Sequence, residues 1–275
     1  MSRNAPSLGR PVPMGVVPAP PVRARKMAAR KLRHQVSVWM SGAEYRRVIL
    51  LRDSFAGERC FLLANGPSLA EMDLRQLKGK RIFLVNAGTN ALGQQLSSAT
   101  FHMVTDNNRY RRFAAEFEKA ALQHEIEYRF YPFRCRRTWA ALPERATRPY
   151  FLLSNPHRFV DRGMVTDPRH GYSGGATVLV SAAQLLAFLG FSEVYVLGCD
   201  LDYGGADKYF YALQEKDKIH ETDPSVVRRR NDMVLANEHF AVVRRFYEAQ
   251  GRFIANAGRG GHLETLERVA YETVI

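Results

Sequence analysis

From residue 59 onward the chain alternates short unbroken apolar runs with longer amphipathic stretches. Phe61-Leu62-Leu63-Ala64 has no polar alternation, which suits a strand covered on both faces. Runs of the same kind predict strands over 60–64, 81–85, 101–105, 127–131, 150–153, 194–198 and 252–255. Helices are predicted over 68–77, 110–122, 176–189 and 225–250, with a short one near 263–269. The 110–122 helix gathers Phe113, Ala114, Phe117 and Ala121 on one side. The 176–189 helix is apolar almost all round, so it packs directly on the sheet. Alternation of β and α segments at these lengths predicts an α/β fold, Rossmann-like, with a mostly parallel sheet and helices on both faces.

The turn after the first strand is Asn65-Gly66-Pro67-Ser68. Gly66 permits a positive φ, and Pro67 holds φ near its helical value. Ser68 is the expected N-cap of the following helix, with Glu71 completing a capping box. Strand, small turn and capped helix leave backbone N–H groups aimed at one spot, which favours an anion or a polar nucleotide edge.

Charge divides the chain. The formal net charge is +13, but eleven Lys and Arg within residues 1–52 face Glu44 alone, so +10 belongs to that segment. The remaining 223 residues are nearly balanced, which argues against nucleic acid as a partner, since that needs a basic face on the fold. Residues 1–22 hold six prolines and no aromatic residue and read as a disordered tail. Residues 23–55 read as a basic helical lead-in able to lie on an anionic membrane leaflet. Residues 56–275 form a single nucleotide-binding domain, with a polar lid insertion at about 204–224. No apolar run is long enough to span a bilayer and no secretory h-region is evident, so the expected location is cytoplasmic, peripheral at the inner face of the membrane. Cys60, Cys135 and Cys199 form no CxxC pair, and Cys60 and Cys199 are expected in the core.

Ligands of such sheets bind beyond the carboxyl ends of the strands. Asn65, Asn86, Asp106, Asn107, Asp200, Asp202, Tyr203 and Asn256 cluster at those predicted ends. The chain has no Walker-type loop, no GxGxxG after a strand and no GxSxG elbow. What it has is Asn, Asp, Ser and Tyr with small-residue loops, a set suited to base, ribose and phosphate through neutral hydrogen bonds and helix N-termini. Ser173, Gly174, Gly175 and Thr177 open the 176–189 helix and can meet phosphate or sugar; His262 is a further candidate for the cleft. Asp200-Leu201-Asp202 can hold Mg²⁺ against a diphosphate if the strand continues, because side chains two apart share a face.

Three segments carry a resemblance: FLLANGPSLAEMDLRQLKGKRIFLVNAG, GGATVLVSAAQLLAFLGFSEVYVLGCDLDY and GRFIANAGRGGHLETLERV. In this order they resemble the bacterial sialyltransferase family that includes the Campylobacter lipooligosaccharide enzymes, and also its 6-hydroxymethylpterin diphosphokinase-like or motility-accessory-factor-like relatives of glycan-biosynthesis loci. The resemblance implies a CMP-activated nonulosonic acid, such as sialic acid, as donor. It implies that the Asn65-Gly66-Pro67-Ser68 loop and Asn86 bind the CMP moiety, with Asp106 or Asn107 after the third strand. It implies that Tyr203 and Tyr209, six apart, meet the leaving phosphate, their phenols donating as negative charge develops. The family's general base is a histidine ahead of the last helix, for which His220 and His239 both stand. The leading reading is a glycosyltransferase moving a sugar from a nucleotide-activated donor to a glycan or lipid-linked acceptor, with no cofactor required. Two alternatives stay open: a Mg-dependent pyrophosphoryl transferase using ATP through Asp200 and Asp202, and a non-catalytic nucleotide or glycan-assembly protein.

Overall fold

The structure is a computed structural model that describes residues 42–155, 164, 171–202, 210 and 233–275. Its centre is an eight-stranded sheet: β1 (Arg59–Leu63), β2 (Arg81–Val85), β3 (Phe101–Met103), β4 (Tyr128–Pro132), β5 (Tyr150–Leu152), β8 (Glu193–Leu197), β9 (Phe253–Asn256) and β10 (Glu267–Arg268). The order is β10-β9-β8-β1-β2-β3-β4-β5 and every pairing is parallel. Two short strands, β6 (Ser154–Asn155) and β7 (Tyr172–Ser173), pair separately. The described helices are α1 (Gly42–Ile49), α2 (Asn107–Gln123), α3 (Arg136–Ala140), α4 (Val178–Leu189) and α5 (Met233–Ala249).

The unbroken apolar runs are explained by burial on both sheet faces. Cys60, Leu62, Phe83, Val85, Val194 and Val196 point into one core layer, with α4 and α5. Phe61, Leu63, Ile82, Leu84, Tyr195 and Leu197 point into the other. In α4 every residue from Leu179 to Leu189 is buried, as expected for a helix apolar all round. The described part of the basic lead-in joins this body. Val48, Leu51 and Phe55 are core residues, and the Phe55 ring stacks on Phe191 at 5.1 Å. All three cysteines are buried and unpaired, and burial pushes their thiols up.

Three local expectations are corrected. The segment 68–77 is two 3₁₀ turns, Pro67–Glu71 and Leu74–Leu77, rather than one capped helix. Gly66, not Ser68, takes the N-cap position, at φ −69° and ψ 155°, because the Ser68 side chain is drawn to Asp200 instead. Near 263–269 the chain forms β10, pairing with β9, where a helix was expected.

The strand order fixes where a ligand belongs. The chain runs outward from β1 through β5, then returns to the other side of β1 with β8, β9 and β10. β1 and β8 therefore flank the topological switch point, the place where open parallel sheets hold their ligands.

Candidate functional site

A cavity of about 370 Å³ opens at this switch point, within the range of small-molecule sites. Asn65, Gly66, Asn86, Asp106, Gly174, Gly175, Thr177, Asp200 and Asp202 all line it, although they come from five separate stretches of sequence. The predicted Pro67, Ser68 and Asn107 do not line it. Tyr203, Tyr209, His220 and the 204–224 segment apart from Phe210 lie outside the described residues, as does the tail 1–41.

The turn after β1 is held by the end of β8. Ala64 N–H donates to Leu197 O at 2.9 Å and Gly66 N–H to Gly198 O at 2.9 Å. The Asp200 carboxylate accepts from Ser68 N–H at 2.9 Å and from the Ser68 hydroxyl at 2.5 Å. Position 66 must be glycine for proximity, not for a positive φ: a Cβ there would stand 2.5 Å from both Asp200 Oδ2 and Gly198 O. Ser68 and Asp200 thus clamp the site from behind. β8 stops at Leu197, Gly198 has φ 65° and Leu201 φ 54°, so Asp200 and Asp202 do not share a strand face. The expected extension of that strand is absent because the chain turns back to meet Ser68.

The two strand-end asparagines are left with unmet acceptors. Asn65 donates Nδ2–H to Val85 O at 3.2 Å, while its Oδ1 is buried with no hydrogen-bond partner. Asn86 Oδ1 is likewise buried and unpartnered. Leaving a buried acceptor unsatisfied costs roughly 1–3 kcal/mol each. Asn256, which looks equivalent in sequence, is different. It donates to Leu263 O at 3.1 Å and accepts from Gly258 N–H at 2.9 Å, and it lies away from the cavity. Asn86 also sits at φ 51°. Among the described residues four non-glycine positions have positive φ, and two of them, Asn86 and Leu201, line this cavity; such strain concentrates at functional sites.

The opposite polarity comes from α4 and α2. Thr177 caps α4, its Oγ1 accepting from Leu179 N–H at 2.9 Å, and the first turn of α4 lines the cavity, so the positive end of the helix faces in. Asp106 caps α2, accepting from Asn108 N–H at 2.7 Å and Arg109 N–H at 3.2 Å. Asn107 turns instead toward Cys135, whose thiol donates to its Oδ1 at 3.6 Å. Arg109, in the first turn of α2, is buried and is the only cation lining the cavity among the described residues. Sequence reasoning missed it, although a cation in a helix's first turn is at the unfavourable end of the dipole and is a signal in itself. Tyr172 was missed too; its hydroxyl donates to Thr105 O at 3.2 Å, fixing the wall between β3 and β7.

Both described histidine candidates are placed elsewhere. His239 is buried beneath the glycine loop, and its Nδ1 accepts from Ala176 N–H at 2.9 Å; it supports the loop that leads into α4 and does not line the cavity. His262 is exposed, and only its backbone N–H serves the site, donating to Asp200 O at 2.8 Å.

No protein-family model and no curated protein sequence matches the chain. Solved structures do. The sialyltransferase CstII from Campylobacter jejuni, in complex with the substrate analogue cytidine-5'-monophosphate, is 13% identical over 78% of this chain and 86% of its own, with a TM-score of 0.51. The monofunctional alpha-2,3-sialyltransferase Cst-I from the same organism is 14% identical over 77% of this chain and 79% of its own, with a TM-score of 0.48. The MAf glycosyltransferase from Magnetospirillum magneticum is 14% identical over 84% of this chain but 38% of its own, with a TM-score of 0.47. At such identities the likeness is one of architecture, and on that ground the chain shares the α/β fold of the bacterial sialyltransferase CstII.

Proposed function

We propose that the cavity binds a nucleotide-activated sugar, CMP-linked in the first instance, and that the protein is a glycosyltransferase passing the sugar to a surface-glycan acceptor. The observation that carries this reading is the pair of buried, unpartnered amide oxygens of Asn65 and Asn86 in one cavity with the N-terminus of α4 and Arg109. Two acceptors call for ligand N–H or O–H groups, as an amino base and a ribose supply. A helix N-terminus with an arginine calls for an anion, as a phosphate supplies. CstII, whose fold the chain shares, was solved with cytidine-5'-monophosphate, which supports the choice of nucleotide.

In the transfer, the bond between the sugar's anomeric carbon and the phosphate oxygen breaks while the acceptor oxygen bonds to that carbon. Negative charge grows on the departing phosphate, which the positive end of the α4 dipole and the Arg109 side chain, both lining the cavity, would stabilise. The acceptor's proton goes to a base, for which sequence points to His220; His239 is committed to Ala176. No helix among the described residues is long and apolar enough to cross a membrane, and the basic segment before residue 52 is the proposed contact with an anionic bilayer.

A second reading rests on Asp200 and Asp202, which line the same cavity and have the chemistry of magnesium ligands in pyrophosphoryl transfer. It is the weaker one, because both Asp200 oxygens are already engaged by Ser68. Calorimetric titration of the full chain separates the two. CMP is expected to bind without metal, cytidine to bind less tightly, and Arg109→Ala to weaken CMP about tenfold while leaving cytidine unchanged. Binding of ATP only with Mg²⁺, with no binding of CMP, overturns the glycosyltransferase reading.

A further inference from the structure

Asn86, which lines the cavity, has its backbone in the left-handed region at the start of a 3₁₀ turn, and its main-chain oxygen meets a fully buried histidine. His102 lies in the middle of β3, in register with Leu84 on β2 and Arg129 on β4, with no exposed surface. Its Nε2 lies 2.7 Å from the main-chain oxygen of Asn86 and its Nδ1 3.2 Å from the Tyr131 hydroxyl. A carbonyl oxygen only accepts, so Nε2 carries the proton and donates. Nδ1 then accepts from Tyr131 O–H. In this tautomer both nitrogens are satisfied, so the pair forms a closed polar network inside the sheet. The ring is further pinned edge-on by Phe117 at 5.0 Å, and Tyr131 packs on Tyr110 at 4.5 Å.

The consequence falls on Asn86. Non-glycine residues rarely take φ above zero; asparagine does so more readily than most, and at φ 51° a hydrogen bond to its main-chain oxygen favours that conformation over the alternatives. The His102 hydrogen bond to its carbonyl, at the head of the 3₁₀ turn Asn86–Ala91, opposes rotation of that peptide. The same rotation would move the Asn86 side chain relative to the cavity it lines.

We propose that His102, with its tautomer set by Tyr131, is a positioning residue for the ligand site: it holds Asn86 in the left-handed conformation that presents its amide to the bound nucleotide. His102 touches no ligand and takes part in no proton transfer. The inference rests on the nucleotide reading for its ligand, but not for its conformational claim.

Three substitutions test it. In His102→Leu, of similar bulk, the donor to Asn86 O is lost; in His102→Gln an N–H donor is restored; in Tyr131→Phe the hydroxyl that fixes the tautomer is removed. Crystal structures of the unliganded variants are expected to show Asn86 at negative φ in His102→Leu and at positive φ in His102→Gln. CMP titration is expected to show at least tenfold weaker binding for His102→Leu, recovery to within about threefold for His102→Gln, and a smaller loss for Tyr131→Phe. The ¹⁵N spectrum of the wild-type protein is expected to show the Nε2–H tautomer of His102, and Tyr131→Phe to perturb it. Asn86 retaining positive φ in His102→Leu, or CMP binding unchanged in a folded His102→Leu, overturns the proposal. If the wild-type protein itself does not bind CMP, the nucleotide reading falls, and the φ of Asn86 in the two His102 variants still decides the inference.

Discussion

The burial of His102 makes the stability of the fold depend on pH in a way that can be worked out. Desolvation is the main cause that moves its pKa from 6.5 down to about 4; the hydrogen bond to Asn86 O opposes the shift, and the nearby Arg129 guanidinium reinforces it. The other groups packed around the ring are the Tyr131 hydroxyl, itself pushed well up by burial, and Tyr110 and Glu118 of α2 behind it. The folded protein therefore keeps the imidazole neutral where the unfolded chain would protonate it. A depressed histidine pKa means that unfolding takes up a proton below pH 6.5, so the contribution is stable above that value and is lost as pH falls toward 4. Linkage puts the loss at about 2 kcal/mol between pH 8 and pH 5 for this one group. Carboxylates also titrate in that window, so the assay compares two proteins. Urea unfolding of wild type and His102→Gln is measured at intervals from pH 8 to pH 5, and the difference between them is plotted. The wild-type protein is expected to lose about 2 kcal/mol more than the variant, because glutamine does not titrate. A difference that stays flat to within about 0.5 kcal/mol would mean that the imidazole is not held neutral, and the tautomer argument for Asn86 would fail with it.

Two further outcomes follow from the clamp behind the cavity. Gly66→Ala places a Cβ 2.5 Å from a backbone oxygen as well as from Asp200, and backbone cannot step aside cheaply; a loss of about 1–3 kcal/mol in urea unfolding is expected, together with loss of CMP binding. Asp200→Asn leaves one of the two Ser68 donors facing an amide N–H₂ group; it is expected to cost about 1–3 kcal/mol in urea unfolding with EDTA present, and a variant as stable as wild type would refute the clamp.

Much of the frame was legible because parallel strands buried on two faces write themselves as unbroken apolar runs. The strand 81–85 falls where it was expected, and those at 60–64, 127–131 and 194–198 shift by one residue. The Asn65, Asn86, Asp106, Gly174, Gly175, Thr177 and Asp200 positions were legible for a related reason: polar residues that end such strands or open such helices collect at one edge of the sheet. What was not legible depends on partners far away in sequence. Ser68 reads locally as an N-cap, and nothing near it reveals that Asp200, 132 residues on, takes its hydroxyl. Asn256 and Asn86 look alike until the structure shows that the first has both ends of its amide paired and the second does not. His102 sits in an apolar strand where a histidine reads as packing, and only the carbonyl 2.7 Å away gives it a task.

The site has a consistent logic in which each lining residue is held through one group and presents another. Asn65 gives its N–H to Val85 and keeps its oxygen for the cavity. Asn86 gives its main-chain oxygen to His102 and keeps its side chain. Thr177 accepts from Leu179 N–H through its hydroxyl and from Val180 N–H through its main-chain oxygen, so the first turn of α4 meets the cavity as the positive end of the helix dipole. The strand ends therefore carry acceptors and the helix end carries positive potential. A ligand that fits must carry donors at one part and negative charge at another, and the proposed nucleotide would meet this with base and ribose toward β1 and β2 and phosphate toward α4 and Arg109. A simple sugar lacks the anion, whereas a sugar phosphate or a nucleotide carries both donors and negative charge.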